Sequence, residues 1–276
     1  MKVFKKAAII GTGLIGGSIA LALKKKRLAG EVVGVARRRS SLTAAKMIGA
    51  IDRGSQDISI IKGADLVILA TPVGLIKRFA PRVRRLINDR CLVIDVGSTK
   101  QEIVSSLSRE FVRYIGCHPL AGSEKQGVAN ADAGIFKGCL CILTPTASSN
   151  PAALARTKEL WQVLGARVVK MSAASHDLAL SFISHLPHAV AFSLIDTVPA
   201  KHLLLASSGL KDATRIAASD SRLWVDIFLS NRKNTAASIK ALRKNLSILR
   251  SAIIKNDSKT LKRLISRAKT KRDSLQ

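Results

Sequence analysis

The chain predicts an α/β fold: a doubly wound, mostly parallel sheet at the amino terminus, followed by an all-helical carboxyl-terminal part. Three observations predict it. Short apolar runs at 7–10, 32–35, 65–70, 91–95, 111–115, 140–143 and 166–169 are separated by more polar stretches, as strands joined by crossover helices would be. A glycine-rich turn follows the first run directly. From about Ser175 helical periodicity takes over and persists to the end. The expected units are residues 1–171 and 172–276.

The first run, Ala7 to Ile10, leads into Gly11-Thr12-Gly13-Leu14-Ile15-Gly16-Gly17, and apolar helical spacing continues through Ile19, Leu21 and Leu23 to the lysines at 24–26. Strand, glycine turn and helix start in this order are what a dinucleotide site requires. Gly11 permits the tight turn, Gly13 lets the backbone approach a pyrophosphate, and Gly16 allows close helix-to-strand packing. The phosphate charge then rests on amide N–H groups at the helix start, at Leu14 and Ile15.

Val32 to Val35 is the second strand, whose end carries an acid in many NAD sites to bind the ribose hydroxyls. Here Ala36 stands there, followed by Arg37, Arg38, Arg39, Ser40 and Ser41. Guanidinium groups pair bidentately with a 2′-phosphate, which favours NADP over NAD. A solvated basic turn is the competing reading, and NAD stays open.

The run 65–70 ends at Thr71-Pro72 and the run 91–95 at Gly97-Ser98-Thr99-Lys100, both on the cofactor edge of a parallel sheet. Phe111 to Ile115 reads as a strand that delivers Gly116-Cys117-His118-Pro119-Leu120-Ala121-Gly122-Ser123-Glu124 to the same edge. A lone His-Pro pair reads more readily as a stiff loop than as a site. Beside a dinucleotide turn, an imidazole that titrates near neutrality is a candidate proton acceptor. Strands at 140–143 and 166–169 follow, joined by a helix from Pro151 to about Leu164.

In the helical half, Ser184-His185-Leu186-Pro187-His188 opens the apolar run 189–198; by itself it reads as a cap with satisfied histidines. Lys211 and Arg215 are four apart and share a face if that segment is helical, the alternative being an exposed charge pair beside Asp212. From Ala236 to Ala268, Ile239, Leu242, Leu246, Leu249 and Ile253 form an amphipathic seam among lysines and arginines. Packing inside the domain or across a dimer suits it better than a membrane surface or nucleic acid.

At 47% apolar residues the chain can build a sizeable core, and no apolar run is expected to reach membrane-spanning length. The start, Met1 to Lys6, runs straight into the first strand and leaves no room for a cleaved signal. Cysteines 91, 117, 139 and 141 lack metal-type spacing, so a reduced, cytoplasmic setting and no metal are expected. Forty-six basic against 18 acidic residues give a net charge of +28, a field that attracts polyanions at low salt and anionic metabolites generally. The cations are scattered, stacking aromatics are few, and no helix-turn-helix, zinc or RNA-binding signature occurs, which argues against a specific nucleic-acid function.

Taken together, the glycine fingerprint, Asp95 to Lys100, the His118-Pro119 loop, Ser184 to His188, Lys211 to Ile216 and Asp220-Ser221-Arg222-Leu223-Trp224-Val225-Asp226-Ile227-Phe228 resemble the prephenate and arogenate dehydrogenases of tyrosine biosynthesis, in the family's order and over nearly the whole chain. The resemblance implies a Rossmann domain, then an all-helical domain that forms a homodimer; with the sequence stopping at Gln276, neither the regulatory domain that some relatives append nor a fused chorismate mutase is expected. It also implies oxidative decarboxylation of a cyclohexadienol: His118 takes the hydroxyl proton, and Ser98 hydrogen-bonds the same hydroxyl and helps fix the nicotinamide. Arg215 would grip a substrate carboxylate, His185 and His188 would line the helical side, and Gly122 and Ser123 would add hydrogen bonds, with Glu124 as a gate. The glycine turn with Leu14 and Ile15, Arg37, Arg38 and Ser40, and Thr71 and Pro72 would hold the cofactor. Prephenate is favoured over arogenate, because His188 suits an anionic substrate group. A β-hydroxyacid-dehydrogenase-like reductase or a non-catalytic basic binding protein are the remoter readings.

Overall fold

The computed structural model describes residues 4–121 and 127–275. Its first part is one eight-stranded sheet: β1 (Phe4–Ile10), β2 (Ala29–Val35), β3 (Arg53–Ser55), β4 (Leu66–Leu69), β5 (Leu92–Asp95), β6 (Tyr114–Pro119), β7 (Leu140–Thr144) and β8 (Arg167–Lys170). Helices α1 (Leu14–Lys25), α2 (Arg39–Met47), α3 (Val73–Arg84), α4 (Gln101–Glu110) and α5 (Pro151–Leu164) connect them. The strand order is β3-β2-β1-β4-β5-β6-β7-β8. The first six strands are parallel, and β7 meets β6 antiparallel. The chain reverses direction across the sheet between β1 and β4, the switch point where open α/β sheets bind ligands.

The central strand β4, Leu-Val-Ile-Leu, is buried along its whole length because both faces of the sheet are covered, whereas the outer strands β3 and β8 carry exposed Arg53, Arg167 and Lys170. Along β1, Ala7 and Ile9 enter one core with Leu23 and Trp161, while Ala8 and Ile10 enter the other with Val73, Ile76 and Leu107. This is the alternation that a pleated strand imposes. The strands differ from expectation in several places: β1 and β2 each begin three residues before the apolar runs, and β3 falls outside them. The strand reaching His118 begins at Tyr114, since Phe111 caps α4 through its amide to Leu107 and packs its ring into the core. The five-residue apolar run therefore splits between a helix end and a strand.

After β8 the described chain is helical: α6 (Ala173–Leu180), a π-helical turn over Ser181–His185, α7 (Leu186–Thr197), α8 (Ser208–Thr214), α9 (Ser221–Ser230), α10 (Arg232–Ile254) and α11 (Ser258–Asp273), with 3-10 turns between some of them. The carboxyl-terminal seam is two helices rather than one. The chain breaks at Asn256, which has a positive φ of 50°, and Asp257 caps α11 by accepting from the Thr260 amide. Residues Ala173–Thr197 form 25 residues of continuous helix containing an 18-residue window of mean hydropathy 1.6, long and apolar enough to cross a membrane by length and composition. That corrects the expectation of no such run. This stretch carries His176, Asp177, His185 and His188, which are engaged at the sheet edge or line a cavity there.

Candidate active site at the carboxyl edge of the sheet

The glycine turn sits at the switch point. Gly11 has φ +102°, and a Cβ there would lie 2.5 Å from the Ala70 carbonyl oxygen. A Cβ at Gly16 would overlap the Gly11 carbonyl oxygen and crowd Ile9 and Ala70 of the neighbouring strands. A Cβ at Gly13 meets nothing within 4 Å, so the space above it is open for an approaching group. Gly13 is also the N-cap of α1 and offers no side-chain cap, so the amides of Leu14 and Ile15 lack intrahelical acceptors. The Thr12 and Thr71 hydroxyls are buried without a partner among the described residues. Open backbone, bare helix amides and orphaned hydroxyls fit a pyrophosphate and its attached ribose. Pro72 is the exposed N-cap of α3, beside them.

Arg37, Arg38 and Ser40 are exposed just past the end of β2, around the start of α2. Gln56 braces this turn: its amide donates to the Arg37 carbonyl at 2.5 Å, and its oxygen accepts from Arg39 Nε at 3.1 Å. Arg39 is thereby held toward β3, while no hydrogen bond or ion pair ties the Arg37 or Arg38 guanidinium among the described residues.

Further along the same sheet edge, Ser98, His118, Ser184, His185, His188 and Arg215 line one cavity of about 370 Å³. Residues separated by more than a hundred positions in sequence thus meet between the sheet edge and the helices. Arg215 opens a 3-10 turn directly after α8 ends at Thr214, so it reaches the cavity from a helix end, whereas Lys211 does not line it. Asp220 and Trp224 also line it, and neither was singled out by role from sequence. Trp224 stacks on His188 with ring centroids 3.5 Å apart and meets Phe228 at 5.3 Å, giving the cavity a flat aromatic wall. Gly122, Ser123 and Glu124 lie outside the described residues.

The histidines are wired differently from one another. His118 approaches His176 through Nδ1 to Nε2 at 2.8 Å, and His176 Nδ1 meets Asp177 Oδ1 at 2.8 Å. The His185 Nδ1 faces Asn231 Nδ2 at 3.2 Å; that amide also donates to the Asp177 carbonyl at 2.7 Å. Because Asn231 donates, His185 accepts at Nδ1 and carries its hydrogen on Nε2. His188 donates from Nδ1 to the Ser184 carbonyl at 3.0 Å. Burial holds all four rings below the ordinary histidine range, with His185 lowered to about 4. They are neutral at pH 7, so Arg215 is the one permanent cation among the described cavity-lining residues. His188 can therefore answer an anion by charge only if it takes a proton.

Beneath His118 lies a buried polar cluster. Lys100 is fully buried, pairs with Asp95 and donates to the Cys117 carbonyl at 2.8 Å. Asp95 also accepts from the Tyr114 hydroxyl at 2.6 Å and the Gly97 amide at 2.8 Å. The carboxylate and ammonium are thus both paired and hydrogen-bonded, the condition for keeping charges out of water. This cluster clamps the ends of β5 and β6, which carry Ser98 and His118. The helices are tied to the same edge by Asp177, accepting from the Lys100 and Gln101 amides at 2.7 and 2.9 Å, and by Asp226, accepting from the Gly74 amide at 3.2 Å. Each aspartate satisfies open amides at the start of a sheet-side helix.

Residues 19–170 match the family model for the nucleotide-binding domain of prephenate dehydrogenase, and residues 172–267 match its dimerization-domain model. The chain is 34% identical to a prephenate dehydrogenase of Lactococcus lactis, over 99% of this chain and 78% of that protein. A crystal structure of Aquifex aeolicus prephenate dehydrogenase, in complex with hydroxyphenyl propionate and NAD+, superposes with a TM-score of 0.93 at 33% identity, covering 99% of this chain and 98% of that one. Synechocystis arogenate dehydrogenase superposes at 0.83 with 30% identity, covering 97% and 99%.

Proposed function

This chain belongs to the prephenate dehydrogenase family, and from that premise we propose that it oxidatively decarboxylates prephenate to 4-hydroxyphenylpyruvate and carbon dioxide, preferring NADP to NAD. The observation that carries the reading is the convergence of His118, Ser98 and Arg215 on one cavity at the sheet edge that also carries the open glycine turn. A bound nicotinamide supplies the redox chemistry by accepting the hydride from the ring carbon that bears the hydroxyl. Leu14, Ile15, Thr12 and Thr71 would hold its pyrophosphate and ribose.

Neutral His118 accepts the hydroxyl proton as that carbon becomes electron-poor, and Ser98 holds the same hydroxyl in line. Burial supports this role by keeping the imidazole unprotonated at pH 7. Arg215 pairs with one substrate carboxylate, and the His185 Nε2–H offers a neutral donor. The ring packs on the Trp224 wall, which excludes water from one face. Gly122, Ser123 and Glu124, outside the described residues, would serve as hydrogen-bonding and gating groups.

Prephenate is favoured over arogenate by the state of Asp220. An ammonium substrate needs an anionic partner, and Asp220 is already engaged by the Arg222 guanidinium at 3.1 Å and the Arg222 amide at 2.7 Å. The NADP preference rests on Arg37 and Arg38, exposed where an acid would select NAD. The two domains would meet at 171/172, between the end of β8 at Lys170 and the start of α6 at Ala173. It also has the helices form a homodimer, which would cover apolar side chains such as Leu204, Leu229, Ile183 and Ile254, all at least 65% exposed in the single chain. Four free thiols suit a cytoplasmic setting.

The test is prephenate-dependent nicotinamide reduction, with NADP and NAD in parallel at physiological salt. Turnover preferring NADP is expected. A preference for NAD refutes the arginine reading alone; turnover with arogenate but not prephenate refutes the substrate assignment.

A further inference from the structure

We propose that His176 and Asp177 are positioning residues that hold His118 in the tautomer with hydrogen on Nδ1, leaving Nε2 bare to receive the substrate proton. The inference rests on the assignment of His118 as proton acceptor, and it follows from counting donors along one chain of contacts.

Asp177 is the anchor. Its Oδ2 accepts from the Gln101 amide, and its Oδ1 from the Lys100 amide. A carboxylate already receiving two backbone N–H bonds meets His176 Nδ1 at 2.8 Å as an acceptor, so His176 carries its hydrogen on Nδ1. With that hydrogen placed, neutral His176 has a bare Nε2. The Nε2 lies 2.8 Å from His118 Nδ1, and only a hydrogen on His118 Nδ1 completes that contact. The remaining lone pair of His118 is on Nε2.

The opposite arrangement needs a hydrogen on both nitrogens of His176, making it a cation that donates to His118. Its Nε2–H would then force the His118 hydrogen onto Nε2, where the ring cannot act as a base. The surroundings disfavour that cation. His176 is fully buried, with the Lys100 ammonium nearby. Among the described residues, the charged or titratable groups that bear on His118 are Lys100, His176 and His185, and the Lys100 charge is matched by Asp95. Burial outweighs the attraction of Asp177 and keeps His176 neutral.

The arrangement has a structural consequence as well. The carboxylate that orients His176 is the one tying α6 to the start of α4, so the tautomer of His118 is set only when the helices are seated on the sheet edge. The same logic, a buried acid holding a histidine in the productive tautomer, operates in serine protease triads.

The direct test is nitrogen-15 NMR of histidine-labelled protein, in which coupling patterns separate the two neutral tautomers; a His118→Asn sample assigns the His118 signals. The expected spectrum is the Nδ1–H form at pH 7, and the Nε2–H form overturns the inference. This readout needs no substrate, so it fails or succeeds independently of prephenate turnover. A second test compares His176→Leu with His176→Gln, whose side-chain oxygen can still accept from His118. We expect His176→Leu to lower kcat roughly 100-fold with KM for prephenate little changed, and His176→Gln to recover at least a tenth of the lost rate. Equal rates in the two variants, or a loss confined to KM, would contradict it. If His176→Leu fails to fold, the spectrum of the unmodified protein decides alone.

Discussion

Alanine at Gly13 and alanine at Gly16 should fail in opposite ways, and the contrast can be worked from the backbone. Gly13 has φ −89° and ψ −158°, a conformation alanine adopts freely, and its added Cβ meets no atom within 4 Å. The unliganded Gly13→Ala protein should therefore be as stable as the parent, or gain about 0.5 kcal/mol from a less flexible unfolded chain. The methyl would occupy the space the pyrophosphate needs, so cofactor affinity should fall by at least about tenfold, roughly 1.4 kcal/mol. At Gly16 the same methyl overlaps the Gly11 carbonyl oxygen and lies 3.0 Å from Ile9 Cγ2 and 3.1 Å from Ala70 Cβ. Helix α1 must move off the sheet, at a cost of about 1–3 kcal/mol, typical of overpacking. Urea titration without cofactor, and cofactor titration by fluorescence, separate the two. Undiminished cofactor affinity in Gly13→Ala, or undiminished stability in Gly16→Ala, would refute the assignment of the two glycines.

Arg215→Ala should raise KM for prephenate roughly 10- to 100-fold, the value of a charge-assisted hydrogen bond, with a smaller effect on kcat; steady-state kinetics with an unchanged KM would count against it. His185 has a folded pKa of about 4 against 6.5 in the unfolded chain, so the unfolded state binds the extra proton in that window. Its contribution to stability is complete above pH 6.5 and declines by about 1.4 kcal/mol per pH unit as pH falls toward 4. Urea midpoints across that range should show the decline, and His185→Asn should lessen its slope, the other buried histidines keeping their share; an unchanged slope in the variant would be inconsistent. Replacing Arg37 and Arg38 with aspartate should weaken NADP far more than NAD, read as the ratio of the two dissociation constants.

Local pattern carried most of the fold. The run from Ala7 into the glycine turn and on to Leu23 describes strand, turn and helix by itself, because each depends on neighbours within a few residues. The same locality misled at Phe111, where a helix cap and a strand share one apolar run and periodicity cannot divide them. The π turn over Ser181–His185 was equally hidden, since its sequence reads as ordinary helix. At the site, residue type and order pointed to His118, Ser98 and Arg215. His176 and Asp177 were missed because nothing about adjacent His and Asp at a helix start reveals a partner 58 residues away. Trp224 was visible only as part of a motif; its role as a wall depends on α9 turning it onto His188.

Product balance measures the proposed reaction itself. Purified protein supplied with prephenate and NADP should release carbon dioxide, 4-hydroxyphenylpyruvate and reduced cofactor in equal amounts. His118→Asn should bind both ligands but reduce the cofactor roughly 100- to 10,000-fold more slowly, the range expected for loss of a general base. Reduction without decarboxylation, or a His118→Asn protein as fast as the parent, would contradict the account.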